Sequence, residues 1–168
     1  MVIMFDNKLD IKSFEQFSIS IEDGLSKTNE NDKLIIFFST PGGSVIAAYA
    51  FYELFKKYKD YIQIIIGHQM TSAGAILLHL LEGFEVYVTD LDLEVMIHNI
   101  HAQINTAYPD KNKYEADLKA YNKKLYNLFK KKELSEDKLK ELQTGKDIYL
   151  TSKEIHQMFP YLKVKKYL

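Results

Sequence analysis

Three residues with potentially catalytic side chains stand where an α/β fold exposes them. Ser72 follows a strand-like apolar run and directly precedes an apolar, helix-like segment that begins at Ala73. His98 follows the apolar residues 95–97, and Asp147 comes just before the apolar residues 148–150. A serine hydroxyl becomes an effective nucleophile when a base contacts it and a third group orients that base. These residue types therefore indicate nucleophilic catalysis.

A turn with two glycines, Pro41-Gly42-Gly43, follows another apolar run and can supply backbone N–H donors. It lacks the glycine and lysine spacing of nucleotide-binding loops, so nucleotide binding is only weakly supported. Each catalytic candidate also has a structural explanation. Ser72 is a favoured residue type for a helix N-cap, His98 is typical of a structural histidine at a strand end, and Asp147 suits a turn.

A metal site is a further interpretation of the histidines, because His101 follows His98 by three residues. No cluster of carboxylates and no cysteine completes such a site in the sequence. Neither a metal ion nor another cofactor is therefore expected.

Composition limits the class of protein. The 168 residues match one ordinary domain, which buries about 70% of the surface of its unfolded chain. The formal net charge of −1 gives no strong field toward nucleic acid or an anionic membrane. The chain has no cysteine, which excludes disulfides and thiol catalysis, and no apolar run approaches the roughly 18 residues of a membrane span. We expect a soluble, cytoplasmic protein.

Apolar patterning predicts alternating strands and helices. Short continuous apolar runs favour buried strands, and a 3.6-residue period favours helices. Predicted strands cover residues 1–5, 34–38, 61–66, 84–88 and 95–97, with Gly67 ending the third. Predicted helices start at two capping boxes, residues 13–16 and 151–154, after the Pro-Gly-Gly turn, and near residues 73, 110 and 135. This order predicts a parallel α/β fold, in one domain over residues 1–168, with ligands bound at the carboxyl ends of the strands.

Two predicted helices have apolar faces that can be checked. After the Pro-Gly-Gly turn, one face comprises Val45, Ala48, Tyr49, Tyr52 and Phe55. The helix over residues 110–132 has a narrow, heptad-like stripe of Tyr114, Leu118, Tyr121, Leu125 and Leu128. Its lysines are interspersed with acidic residues, which favours a solvated face over a nucleic-acid patch. We expect this second helix to protrude and to pack its stripe on a neighbouring subunit.

Four motifs, in this order, resemble those of the Clp protease proteolytic subunit (ClpP) family and its phage-encoded relatives. Residues 38–45 (FSTPGGSV) resemble a strand that ends in S-P-G-G-S-V, and residues 72–75 (SAGA) resemble S-x-G-A. Residues 95–98 (VMIH) are similar to V-M-I-H, and residues 147–151 (DIYLT) resemble D-x-[FY]-[LM]-S. The resemblance runs from about Met1 to the C-terminus.

The resemblance implies a short, phage-type serine endopeptidase. Ser72 is then the nucleophile, His98 the base and Asp147 the third member of the triad. The backbone N–H groups of Gly43 and Ala73 are then the two donors of the oxyanion hole.

The same resemblance implies an assembly and a fold. The family fold is a spiral of ββα units, shared with the crotonase superfamily, and residues 110–132 match its protruding handle helix. Family members are homo-oligomers whose heptameric rings enclose the active sites. Their substrates enter as unfolded polypeptides, and a phage structural protein is an alternative substrate here.

Three features depart from the family pattern. The sequence starts almost at the first predicted strand, without the longer N-terminal segment that helps to dock the unfoldase, so a Clp-type ATPase partner is only a secondary expectation. Gly67 to Ser72 holds one residue more than the usual spacing, which affects the approach of the nucleophile. Lys146 replaces the arginine that commonly precedes the catalytic aspartate, which bears on the ring contacts.

Two alternatives stay open at this point. A crotonase-like enzyme that binds an acyl-CoA thioester needs acidic groups near Gly43, and Glu53 and Glu82 are its candidates. A catalytically silent, ring-forming relative is the other alternative.

Overall fold

The computed structural model describes residues 1–89, 93–100 and 111–165. The chain forms seven strands and six helices within these ranges. They are β1 (Val2–Asp6), α1 (Ile11–Ser26), β2 (Leu34–Thr40), α2 (Val45–Lys57), β3 (Ile62–Thr71), α3 (Ala73–Leu80), β4 (Val86–Thr89), β5 (Glu94–Ile97), α4 (Lys111–Lys131), α5 (Glu136–Gln143), β6 (Ile148–Tyr149), α6 (Ser152–Met158) and β7 (Lys163–Lys165).

The chain divides into two compact units. The first comprises Met1–Met96 and Leu150–Leu168, and the second comprises Ile97–Tyr149. The expectation of one peptidase domain over the whole chain stays a prediction.

A parallel sheet organises the first unit. Its strands lie in the order β1-β2-β3-β4-β7, and each of these neighbouring pairs is parallel. The carboxyl-terminal half of β3 pairs with β5, also in parallel. Helix α1 packs against β1 and β2, and α3 packs against β3 and α2. The predicted mixed α/β fold with a parallel sheet is confirmed. Strand β7 was not among the predicted strands.

An aromatic cluster joins the first two strands to the helices above them. The rings of Phe5 and Phe38 stack with centroids 4.6 Å apart, and Phe51 meets both edge-on at 4.9 and 5.5 Å. Phe17 and Phe55 complete the cluster. Aromatic pairs of this kind contribute about 0.5–1.5 kcal/mol beyond the burial of their area. The cluster therefore packs β2 against α1 and α2 just before the Pro41-Gly42-Gly43 turn.

Strand β3 is longer than predicted. It continues through Gly67 to Thr71, so the prediction that Gly67 ends the strand is wrong. The pairing with β2 runs in register to Phe38↔Ile66 and resumes at Thr40↔Met70. A bulge in β3 thus absorbs the glycine and lets the strand reach the residue before Ser72.

The cap of α1 and the buried face of α2 differ from those predicted from the sequence. The cap of α1 is Asp10, which exchanges two hydrogen bonds with Ser13, so the capping box starts three residues earlier than predicted. Helix α2 buries Ala47, Ala48, Phe51, Leu54 and Phe55, whereas Tyr49 is 51% exposed. The predicted capping box of Thr151 and Glu154 at α6 is confirmed.

The second unit is built from α4, α5 and β6. Helix α4 lies within the predicted range of 110–132 and packs against α5. Leu125 and Phe129 of α4 are buried, Leu128 is half-buried and Tyr121 is 56% exposed. The buried face therefore runs through Phe129 rather than through Tyr121, and the side chain of Tyr114 lies outside the described residues. None of the described helices combines the length and the apolar character that crossing a membrane requires.

Candidate active site

The backbone at Ser72 adopts a conformation that is rare for a residue with a side chain. Its φ is 57° and its ψ is −119°, a region that costs on the order of 1–3 kcal/mol. Its N–H donates to the Met96 carbonyl oxygen at 2.7 Å, which fastens the turn to the end of β5. Ser72 occupies the N-cap position of α3, yet its side chain makes no capping hydrogen bond there. Helix capping therefore does not explain the serine.

The Pro41-Gly42-Gly43 turn lies directly against this junction. A Cβ atom on Gly42 would meet the Thr71 carbonyl oxygen at 2.5 Å and the Ser72 Cβ at 2.6 Å. The same Cβ would lie 3.1 Å from the amide nitrogen of Ala73. Only glycine fits this place, since its φ of +93° is also one that other residues rarely adopt. The turn and the serine junction thus form one packed structure.

The backbone N–H groups of Gly43 and Ala73 are oriented by the turn and by the helix to which they belong. The Leu9 N–H donates to the Gly42 carbonyl and the Ser44 N–H donates to the Leu9 carbonyl, each at 2.8 Å. These bonds form a parallel bridge around Gly43, which turns the Gly43 N–H away from Leu9. Ala73 is the first residue of α3, and the first N–H groups of a helix lack partners within it. This arrangement can stabilise an anionic oxygen.

The side chain of Thr40 holds the Pro41-Gly42-Gly43 turn in place, and no sequence pattern pointed to this residue. Its side chain is fully buried, and its hydroxyl donates to the Asn7 carbonyl at 2.8 Å. The same oxygen accepts from the Gly42 N–H at 3.0 Å. Gly74 lets α3 approach closely, because a Cβ there would lie 2.7 Å from the Thr40 methyl carbon. The glycine of the S-x-G-A motif therefore has a packing role.

His98 and Asp147 belong to the second unit. His98 directly follows β5 and is half-buried, whereas Asp147 directly precedes β6 and is exposed. Gly42 lies against Ser72 and Ala73 within the first unit. The predicted roles of all five site residues stay predictions: Ser72, His98, Asp147, Gly43 and Ala73.

The sequence profile of the Clp protease family matches residues 14–158. The chain belongs to the Clp protease family. The matched range covers most of the 168 residues and includes every candidate site residue. No curated protein is matched by a search with this sequence. Membership of the Clp protease family supports a ClpP-like peptidase in general, in agreement with the resemblance of the four motifs.

The acidic residues that a crotonase-like activity needs are poorly placed in this Clp protease family member. Glu53 is exposed, pairs with Lys56 at 3.7 Å, and lies roughly 13 Å along α2 from its Ser44 cap. Glu82 is exposed beyond the end of α3 that is opposite Ser72. Across the described residues, no group of three or more histidine, aspartate or glutamate side chains is arranged to hold a metal ion.

Proposed function

We propose that this chain is a serine endopeptidase subunit of a self-compartmentalising, ClpP-like protease. The observation that carries the proposal is the strained turn at Ser72, held against the Gly42-Gly43 turn rather than used as a helix cap. Strain of this kind persists where the surrounding structure imposes it, and it is typical of nucleophiles on strand-to-helix turns. Family membership supports the same class of reaction.

The proposed mechanism is acyl transfer. The Ser72 oxygen attacks the carbonyl carbon of the scissile peptide, and its proton passes to His98, which Asp147 orients. His98 then gives this proton to the leaving amine, and an acyl-enzyme remains on Ser72. A water molecule attacks the acyl carbon with His98 again as base, which releases the carboxylate product and restores the serine hydroxyl.

The amides of Gly43 and Ala73 are the proposed oxyanion hole. The tetrahedral intermediate places a negative charge on the former carbonyl oxygen, and preorganised N–H donors stabilise that charge more than they stabilise the substrate. Each donor of this kind contributes about 3–4 kcal/mol in enzymes where one was removed. The helix N-terminus at Ala73 adds a favourable dipole.

The proposed assembly is a homo-oligomeric, heptameric ring, and the proposed substrates are unfolded polypeptides. Both proposals rest on the family alone. Mass photometry of the purified chain tests the assembly, because a heptamer has seven times the mass of the 19.6 kDa chain.

A serine-reactive phosphonate tests the proposed nucleophile. We expect the wild type to be labelled once per chain, Ser72→Ala to remain unlabelled, and His98→Ala to be labelled far more slowly. Ser18→Ala is the matched control, because Ser18 lies on the outer part of α1 and bonds only a helix carbonyl. Hydrolysis of an unfolded, fluorophore-tagged polypeptide is measured in parallel. An unlabelled wild type, or equal labelling of Ser72→Ala, contradicts the proposal.

A further inference from the structure

The bulge in β3 has an unusual composition. One residue of β2, Ser39, faces three residues of β3, Gly67, His68 and Gln69, between the registered pairs on either side. Because side chains alternate across a strand, two extra residues return the strand to its original phase. Met70 and Thr71, which follow the bulge, are both buried. The two extra residues therefore lengthen β3 up to Ser72, and the side chains after the bulge keep the faces that they would have without it.

Ser39 closes this bulge with its side chain. It is 5% exposed, and its hydroxyl oxygen accepts from the Gln69 N–H at 3.3 Å. The same oxygen lies 3.1 Å from Nδ1 of His68, whose side chain is exposed. Gly67 provides the necessary space, since a Cβ there would lie 3.1 Å from the Ser39 Cβ. Hydroxyl and imidazole can bond in either tautomer of the ring, because the hydroxyl both donates and accepts.

We infer that Ser39 and His68 form a clasp that positions Ser72 for its reaction. The clasp consists of Ser39, His68 and the Gln69 amide. Ser72 comes three residues after Gln69 along the chain, and its own N–H is held by β5. Ser39 is therefore a positioning residue that acts through the strand.

The end of β2 supports this inference with a second observation. Ser39 fastens the strand that leads to Ser72, while the adjacent Thr40 fastens the turn that carries Gly42 and Gly43. Two consecutive residues thus hold the two segments whose mutual placement the reaction needs. The catalytic part of the inference rests on the proposed function, whereas its structural part does not.

Amide hydrogen exchange by NMR tests the structural part. Loss of one buried hydrogen bond corresponds to roughly a tenfold change in a local opening equilibrium. In Ser39→Ala we expect about tenfold faster exchange at the Gln69 and Ser72 amides, with the Ile36 amide of β2 unchanged. Ser18→Ala should change none of them. An unchanged exchange rate at Ser72 in Ser39→Ala overturns the clasp.

Labelling and steady-state kinetics test the catalytic part. Ser39→Ala should slow phosphonate labelling about tenfold and lower kcat with KM unchanged, because Ser39 lies in the strand rather than at the substrate. His68→Gln, which keeps a donor and an acceptor, should retain the labelling rate, and His68→Ala should lower it. Equal labelling of the wild type and Ser39→Ala overturns the clasp and leaves the proposed function intact. An unlabelled wild type contradicts the proposed function, and the amide exchange then decides the clasp.

Discussion

Replacement of Gly42 by alanine should damage both stability and catalysis. The added methyl carbon would meet the Thr71 carbonyl oxygen at 2.5 Å and the Ser72 Cβ at 2.6 Å, and neither atom belongs to a flexible side chain. A φ of +93° adds roughly 1–2 kcal/mol of backbone strain for any residue with a Cβ. Overpacking adds about 1–3 kcal/mol. The free energy of unfolding should therefore fall by roughly 2–5 kcal/mol.

Catalysis should suffer more than stability alone explains, because the methyl group pushes directly on Ser72. A displacement of about 1 Å at a reacting group costs on the order of 100-fold in rate. We expect the folded Gly42→Ala protein to be labelled by a serine-reactive phosphonate at least about 100-fold more slowly than the wild type.

Gly83→Ala is the matched control for this substitution. Gly83 has nearly the same φ, +90°, but no atom lies within 4 Å of its added Cβ. It should therefore lose only about 1–2 kcal/mol of stability and keep the wild-type labelling rate. Urea denaturation and labelling kinetics of both variants provide the comparison. Equal losses in Gly42→Ala and Gly83→Ala would refute the close contact between the glycine turn and Ser72.

Three further predictions concern stability. Thr40→Val should lower the free energy of unfolding by about 1–3 kcal/mol in urea titrations, because it leaves the buried Gly42 amide and the Asn7 carbonyl without the hydroxyl; an unchanged midpoint contradicts this role. Ser44→Ala should cost about 1 kcal/mol, because it removes the hydrogen bond that caps α2. Ser72→Gly should be more stable than Ser72→Ala, because glycine accepts a positive φ; the reverse order in thermal melts contradicts the assigned backbone. Hydrogen bonds from Lys33 and then Tyr87 lower the pKa of Glu85 to about 2. The stabilising effect of the Glu85 carboxylate is therefore full above the ordinary pKa of 4.5 and is lost as the pH falls toward 2. The melting temperatures of the wild type and Glu85→Gln should differ at pH 7 and converge as the pH approaches 2.

The alternation of strands and helices was predictable because buried parallel strands are continuous apolar runs. Helix faces were harder. Nearly every residue of α2 from Val45 to Phe55 is apolar, so the pattern does not determine which stripe is buried, and Tyr49 was wrongly assigned to it. Strand β7 has a single apolar residue, Val164, between two lysines, which is too little to predict a strand. Its Lys163 and Lys165 ammonium groups lie over the Tyr87 ring, at 5.6 and 5.3 Å from its centroid, and that contact depends on a strand far away in the sequence.

The candidate site was predictable at the level of residue types. The strand-to-helix position of Ser72 and the two glycines before α2 follow from local sequence. Two other features depend on residues that are distant in the chain. Thr40 bonds the carbonyl of Asn7, and the bulge after Gly67 is bonded by Ser39 of another strand. The two residues of each pair are about 30 positions apart, so the pattern of a short stretch of sequence could not predict these contacts.

Strand β3 changes its neighbour at the bulge, and this gives the two halves of the strand separate stabilities. Ile64–Ile66 pair with β4, whereas Gln69–Thr71 pair with β5 through three residue pairs, and the Ser72 amide is bonded to that same short strand. Detachment of β5 would release the Ser72 backbone while β1, β2, β4 and the first half of β3 keep their pairing. The order of the Ser72 turn can therefore change while the rest of the sheet stays folded.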